Sequence, residues 1–453
     1  MPLVRPRLTD HCRLGLTQDG VDFAIPFLDE DLPLYVDPFL LWRSPSMQEQ
    51  SLHTLLINSF NHLGHLAQNG EAARAIDLLI GLSECAEVGL GNSENRKGKR
   101  IGAQLSREIV ELFSDVPHYN TRGFRHFEEI QLYVEGVSVD RISDITCEFL
   151  KSYLIDYTTA QCHRYGIPVA GHTCQVYDYK SNSIKREDGL ELPTNPVNGQ
   201  PLLLVPKSWL RYRPWINFDN FFESFTKDPA NIGKNRKHAL LYSRHNAAAV
   251  AAFIAEREAS HASCHNDKLF TQIPLDSARA CIRRIGNILP GNTNNADKLY
   301  EQDVCKLLAS VLHPNLDFAQ DQVRTESGSQ IRDLIFYNNQ QNPFLKEIMD
   351  KYSAYQIVFE IKNVERIERE HINQLNRYLK DDFGRFGVFV TRHPLQKSME
   401  KHVVDLWSGQ RKCLVTLADE DLRMMVSLYV DKQRDPIDAL KRNYVELTRK
   451  FPG

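Results

Sequence analysis

The chain has 453 residues, 42% of them hydrophobic and 25% charged, with a formal net charge of -3. That length exceeds one ordinary core and predicts two to four domains at roughly 100–200 residues each. The residue balance excludes a disordered or polycationic chain, so any nucleic-acid contact has to come from a local basic surface.

No apolar run approaches the roughly 20 residues that span a bilayer. The N-terminal MPLVRPRLTDHCRLG lacks the apolar stretch of a secretory signal. Nine cysteines occur without paired spacing, which points to reduced thiols and a cytoplasmic location, and the lack of a long apolar run to no membrane partner.

Over residues 1–60, DFAIPF and LPLYVDPFLLW predict short extended segments that lead into a helix at SLHTLLINSFNHL. Apolar residues recur at three- and four-residue intervals in EAARAIDLLIGLSECAEV, AQLSREIVELFSDV and SDITCEFLKSYLIDYTTAQCHRYG, which predicts three more helices. The polar stretch 181–200, with Gly and Pro, predicts an exposed loop or hairpin. HNAAAVAAFIAEREASH has the alanine- and glutamate-rich composition of a helix. Together these predict a mainly helical α+β recognition or regulatory region over 1–230 and a helical connector over 231–295. PGNTNNADK, residues 290–298, clusters Pro, Gly and Asn as a domain boundary would.

The pattern changes over 296–453. A helix (ADKLYEQDVCKLLASVL) precedes strand-like SQIRDLIFYN and AYQIVFEIKNV. Then come a helix (EREHINQLNRYLK), a strand (FGVFVTR), a polar helix, a strand (KCLVTL) and a helix (DEDLRMMVSLYVDK). That order predicts an α/β domain with a central mixed sheet flanked by helices.

Side chains alternate along a strand, so Asp333 shares a face with Ile335 and Tyr337, and Glu360 shares one with Lys362. Arg332 falls on the opposite face as a surface or packing residue. Charges removed from water need partners. A hard divalent cation such as Mg²⁺, which favours carboxylate oxygens, satisfies Asp333 and Glu360 together. Lys362 can then hold a water and offset phosphate charge.

GSQIRDLIFYN followed by VFEIKNV resembles the D…ExK core of the PD-(D/E)XK nuclease superfamily, which includes restriction endonucleases. Glu301 lies on the preceding helix, where members of that superfamily carry a metal-supporting acid. Gln374 and Tyr378, spaced i, i+4, resemble the QxxxY element of its RecB-like branch. FGVFVTR and CLVTLADEDL resemble the later strand and terminal helix of Mrr-like enzymes. The resemblance covers roughly residues 296–432. It implies a restriction-endonuclease-like fold and Mg²⁺- or Mn²⁺-dependent hydrolysis of DNA by a homo-oligomer in restriction or phage defence, as in Mrr-like and Shedu-like proteins. Asp333, Glu360 and Glu301 would serve the metal, Lys362 the water, and Gln374 and Tyr378 the site. Competing expectations are an RNase of an abortive response, an inactive fold kept as a nucleic-acid or protein-binding module, and an edge strand with a solvated charged face.

Other candidates are weaker. Cys162, His163, His172 and Cys174 offer soft ligands for zinc, but not in the paired spacing that structural sites prefer. His261, Cys264 and His265 are a lesser version. Gly89, Gly91, Gly98 and Lys99 resemble a phosphate loop only loosely, since Arg100 stands where Ser or Thr is needed. Asp140, Arg141 and Asp144 read as an ion-pair cluster at a helix start. Lys207, Arg211 and Arg213 interleave with Trp209, Tyr212 and Trp215, a pattern that serves either nucleic-acid contact or internal packing.

Overall fold

Helix α1 (Met47–Gln68) starts where Ser46 supplies an N-cap, its hydroxyl accepting the Glu49 amide. It packs on α2 (Ala72–Gly81) and α3 (Ala103–Asp115) through Leu56, Phe60, Leu63, Leu79 and Phe113, all buried. The approach is closest at Gly64, where a Cβ would fall 2.3 Å from the Phe113 ring, so a side chain is excluded there. The expected long helix across 143–166 is divided at Leu150 into α4 (Val139–Phe149) and α5 (Lys151–Tyr165). Strands β1 (Ala170–Asp178) and β2 (Ser183–Leu192) pair antiparallel, with Asp178 opposite Ser183, which is the hairpin alternative for the polar stretch. Helices α6 (Phe218–Lys227), α7 (Arg236–His245) and α8 (Ala247–Ala259) follow.

The structure, a computed structural model, describes residues 6–451 apart from 17, 19, 33, 92, 94–95, 97, 99, 232, 268–274, 314, 325–330, 341, 381–382 and 432–434. The chain separates into two units, Arg7–Leu269 and Phe270–Gly453. That division precedes the proline- and asparagine-rich stretch at 290–298. Residues 231–295 are shared between the units. Ala239, Val250 and Phe253 of α7 and α8 enter the first core, while Ala278, Cys281 and Ile285 of α9 (Leu275–Asn287) enter the second.

In the second unit, α10 (Ala296–Val311) leads to β3 (Leu316–Arg324) and β4 (Ile331–Asn338). Next come α11 (Pro343–Tyr352), β5 (Gln356–Lys362), α12 (Arg369–Tyr378) and β6 (Phe386–Thr391). The unit ends with α13 (Lys397–Gln410), β7 (Cys413–Ala418), α14 (Asp419–Asp431) and α15 (Ile437–Thr448). The five strands lie in the order β3-β4-β5-β6-β7. Strand β4 runs antiparallel to both β3 and β5, and β5, β6 and β7 run parallel, so the sheet is mixed as expected.

Strand β6, between β5 and β7, is buried at all six positions, which suits its uninterrupted apolar run FGVFVT. The turn entering it requires Gly384, whose φ is +102 and whose Cβ would lie 2.4 Å from the Ala354 Cα. One face of the sheet, with Phe336, Phe359 and Val388, joins a core to which α9, α10, α14 and α15 contribute. The other, with Ile335, Val358 and Phe389, packs against Ile372 and Leu375 of α12 and Val403 of α13. No helix among the described residues is long and apolar enough to cross a membrane. All nine cysteines are free thiols.

Candidate active site

The β4–β5 ladder ends at the pair Leu334 and Phe359. Beyond it β4 stays with β3, where Val323 faces Arg332, and β5 stays with β6, where Glu360 faces Phe389 and Lys362 faces Thr391. The two strands therefore part at Asp333 and Glu360, which continued register would set opposite each other. Asp333 takes over where backbone pairing stops: its Oδ2 accepts the Ile361 amide at 2.8 Å. A side-chain acceptor in place of a ladder carbonyl satisfies a buried amide and fixes the carboxylate.

Three charged groups meet there. Glu360 is 0% exposed and Asp333 7%. The Lys362 Nζ lies 2.5 Å from Glu360 Oε1 and 3.8 Å from Asp333 Oδ2. Burial first, then repulsion from Asp333, pushes the Glu360 carboxyl up to about 8, with Lys362 acting in the opposite sense. Burial also raises Asp333, against the pull of Lys362 and the Ile361 amide. Burial works against the Lys362 ammonium, yet Glu360 and Asp333 outweigh it and its pKa is raised.

Apart from the Lys362 ion pair, neither Glu360 oxygen has a hydrogen-bond partner among the described residues. Unsatisfied buried carboxylate oxygens beside a second carboxylate are the donor set a hard divalent cation takes. The residues fit such an ion.

The helices bring further expected residues into this field. Tyr378 is buried on α12 and accepts a hydrogen bond from Gln374 Nε2 at 3.1 Å. Its phenol is raised by burial first and also by Glu360 and Asp333. Glu301, on α10, contributes to the upward shift of Glu360. Glu301, Asp333 and Glu360 do not, however, form a trio whose oxygens all lie within 4.8 Å of one another.

Two participants were not anticipated. The Cys305 thiol lies 3.9 Å from the Asp333 carbonyl. Asn363, next after Lys362, donates to the carbonyls of Leu289 and Gly291 at 2.9 and 2.8 Å and accepts the Gly291 amide on its own carbonyl at 2.7 Å. The loop expected to separate domains is thereby tied to the end of β5. Asparagine directly after the ExK run was the available signal. Arg392 adds to the same corner, with Nε 3.1 Å from Asp419 Oδ2 and Nη1 3.2 Å from the Ile285 carbonyl.

The structure engages the interleaved basic and aromatic residues internally. Lys207 Nζ donates to the Gln18 carbonyl at 2.8 Å. The Arg211 Nε is 3.4 Å from Asp37, a fully buried carboxylate, and its guanidinium lies over Trp215. Trp209 is 1% exposed and donates to Glu49. Arg213 alone of the three basic residues is exposed. Packing, not an open stacking platform, is what this segment builds.

The soft-ligand set is not assembled. Cys162 and Cys174 lie in different apolar clusters, the His163 side chain is 68% exposed, and His172 is 2.7 Å from the Thr194 hydroxyl. Cys264 is buried, and the His261 ring lies 2.8 Å from the Glu258 carbonyl. Among the described residues, three potential ligand atoms come within 4.8 Å of one another at Cys85, Glu87 and Glu148. Lys151 already pairs with both carboxylates of that group, 3.1 Å from Glu87 and 2.5 Å from Glu148. Asp144 sits inside α4, not at its start, and accepts the Cys85 amide at 3.4 Å. Lys99 and the Arg332 side chain lie outside the described residues.

The family described as "Domain of unknown function (DUF8370)" matches residues 13–217, a stretch wholly within the first unit. A protein of Escherichia coli (strain K12) named for transposon gamma-delta, of 80.3 kDa, is 33% identical over 63 residues. That match covers 14% of this chain and 9% of the relative's length.

Proposed function

We propose that the second unit is a divalent-metal-dependent nuclease of the PD-(D/E)XK type, with a restriction-endonuclease-like fold. The observation that carries this reading is the parting of β4 and β5 at Asp333 and Glu360, two buried carboxylates with Lys362 between them. An edge strand with a solvated charged face would leave these groups in water, yet Glu360 is fully buried. A structural ion pair would satisfy both oxygens of the acid, yet Lys362 meets Glu360 Oε1 alone and Oε2 has no hydrogen-bond partner among the described residues.

Asp333 and Glu360 would hold Mg²⁺ or Mn²⁺, with Glu301 in support. Bound there, the cation supplies charge neutralisation at a phosphodiester and a more acidic water. The chain's own residues do the positioning. The Ile361 amide fixes Asp333, and Lys362 orients the attacking water and offsets charge on the phosphoryl oxygens. Tyr378, held by Gln374, closes the apolar side of the site and helps to exclude water.

DNA is the proposed substrate, cut by paired copies of the chain in restriction or defence, with the first unit as the recognition or regulatory part. The test incubates the full chain with plasmid DNA and with structured RNA, in Mg²⁺, Mn²⁺ or EDTA. Cleavage of DNA that EDTA abolishes supports the reading, whereas cleavage of RNA alone moves the substrate to RNA. No cleavage of either, with intact folding and metal present, rejects the enzyme and leaves a binding module.

A further inference from the structure

The three parallel strands of the second unit end in step. Lys362, the last residue of β5, faces Thr391, the last of β6, and Thr391 faces Ala418, the last of β7. The next residue along each chain is polar: Asn363, Arg392 and Asp419. All three are buried, and so is Tyr300 of α10.

These four groups form one row, with Arg392 in the middle. Its Nη1 lies 3.4 Å from Asn363 Oδ1, and its Nε lies 3.1 Å from Asp419 Oδ2. The other Asp419 oxygen accepts the Tyr300 hydroxyl at 2.8 Å. The guanidinium also lies over the Tyr300 ring, 4.8 Å from its centroid. Its bond to the Ile285 carbonyl falls in the last turn of α9, where the helix dipole favours a cation.

The row adjoins the charged cluster at both ends. Asn363 directly follows Lys362, and Tyr300 directly precedes Glu301. Burial keeps the row itself away from any substrate. A buried ion pair adds little net stability, because desolvation offsets the attraction. What it supplies is direction, since a planar guanidinium holds its partners in a fixed fork. Direction matters at a reacting site, where a displacement of about 1 Å costs on the order of 100-fold in rate.

We propose that Arg392 and Asp419 are positioning residues for the metal site of the second unit. Through Asn363 they set the reach of Lys362 toward Glu360, and through Tyr300 they hold the turn of α10 that carries Glu301. The proposal rests on the reading of Asp333 and Glu360 as metal ligands.

The test titrates the full chain with Mn²⁺ alone and follows the free ion by electron paramagnetic resonance. Tyr300→Phe removes one hydroxyl and keeps the ring under Arg392. It should weaken Mn²⁺ binding about tenfold, because the turn that carries Glu301 loses its anchor. Arg392→Gln should weaken Mn²⁺ to a similar degree. At saturating Mn²⁺ it should also lower kcat for plasmid cleavage about tenfold while KM for DNA stays within roughly twofold, since Lys362 is misdirected and no DNA contact is removed. Should Arg392→Gln fail to fold, the Mn²⁺ affinity of Tyr300→Phe decides alone. A lowered unfolding temperature with wild-type Mn²⁺ affinity and kcat makes the row purely structural and overturns the proposal. Wild type that binds Mn²⁺ but cuts neither DNA nor RNA rejects the nuclease, and the Mn²⁺ affinities of the variants then decide the positioning by themselves. Wild type that binds no Mn²⁺ overturns both.

Discussion

Asp333 completes the hydrogen bonding of the strand that carries Glu360 and Lys362: its Oδ2 accepts the amide of Ile361, the residue between them, at 2.8 Å. One carboxylate thus caps the end of the β4–β5 ladder and also presents an oxygen to the site. Those two roles separate on substitution. Asp333→Asn keeps an acceptor for Ile361 and should unfold near the wild-type temperature. Asp333→Ala orphans a buried amide and should lose about 1–3 kcal/mol. Under the proposed function, Mg²⁺ or Mn²⁺ should raise the unfolding temperature of the wild type by binding its native state, and both variants should lose that shift. Equal metal-induced shifts in all three proteins would place the ion elsewhere.

Under the proposed function, Lys362→Met should reduce plasmid cleavage at least 100-fold, because orientation of the attacking group is lost while both carboxylates remain. Circular dichroism should show the fold retained, since Glu360 can take a proton when its counter-charge goes. Cleavage at the wild-type rate would remove Lys362 from the mechanism.

Glu360 makes stability depend on pH. Its folded pKa of about 8 lies above its ordinary value of 4.5. The unfolded chain therefore releases this proton first, so the contribution is full below about 4.5 and is lost as pH rises to about 8. Without metal, wild type should lose stability relative to Glu360→Gln between pH 5 and pH 8, by on the order of a few kcal/mol. Denaturant titrations of both proteins across that range check it, and parallel curves would mean that Glu360 is ionised in the fold.

Arg211 offers a test of the packing assigned to the aromatic segment. Its Nε faces Asp37, which is fully buried and also accepts the amides of Phe39 and Trp215. Arg211→Ala should cost about 3–5 kcal/mol by leaving that carboxylate unpaired. Retention on single-stranded DNA should be unchanged when measured on folded protein at low temperature. Lost retention with full stability would restore nucleic-acid contact.

Asn363→Ala should loosen the 289–291 loop, because three hydrogen bonds tie that loop to Asn363 and two of them come from the lost side chain. Limited proteolysis should then cut within 288–298 faster than in wild type, since accessible loops without anchors are nicked first.

What the sequence determined by itself was local and periodic. The alternation around Asp333, Glu360 and Lys362 placed each on a strand face, and the helix–strand order of 296–453 implied a mixed sheet, because both signals repeat over a few residues. The tertiary structure decided what depends on distant partners. It ended the β4–β5 ladder at Leu334 and Phe359, and it took α9 and the 289–291 loop into the second unit's core and hydrogen bonding. It turned Arg211 toward buried Asp37, and it set Arg392 between Asn363 and Asp419. Composition gives a guanidinium or an imidazole its chemistry, but burial and the groups across from it, brought together only by folding, select which of its possible partners it meets.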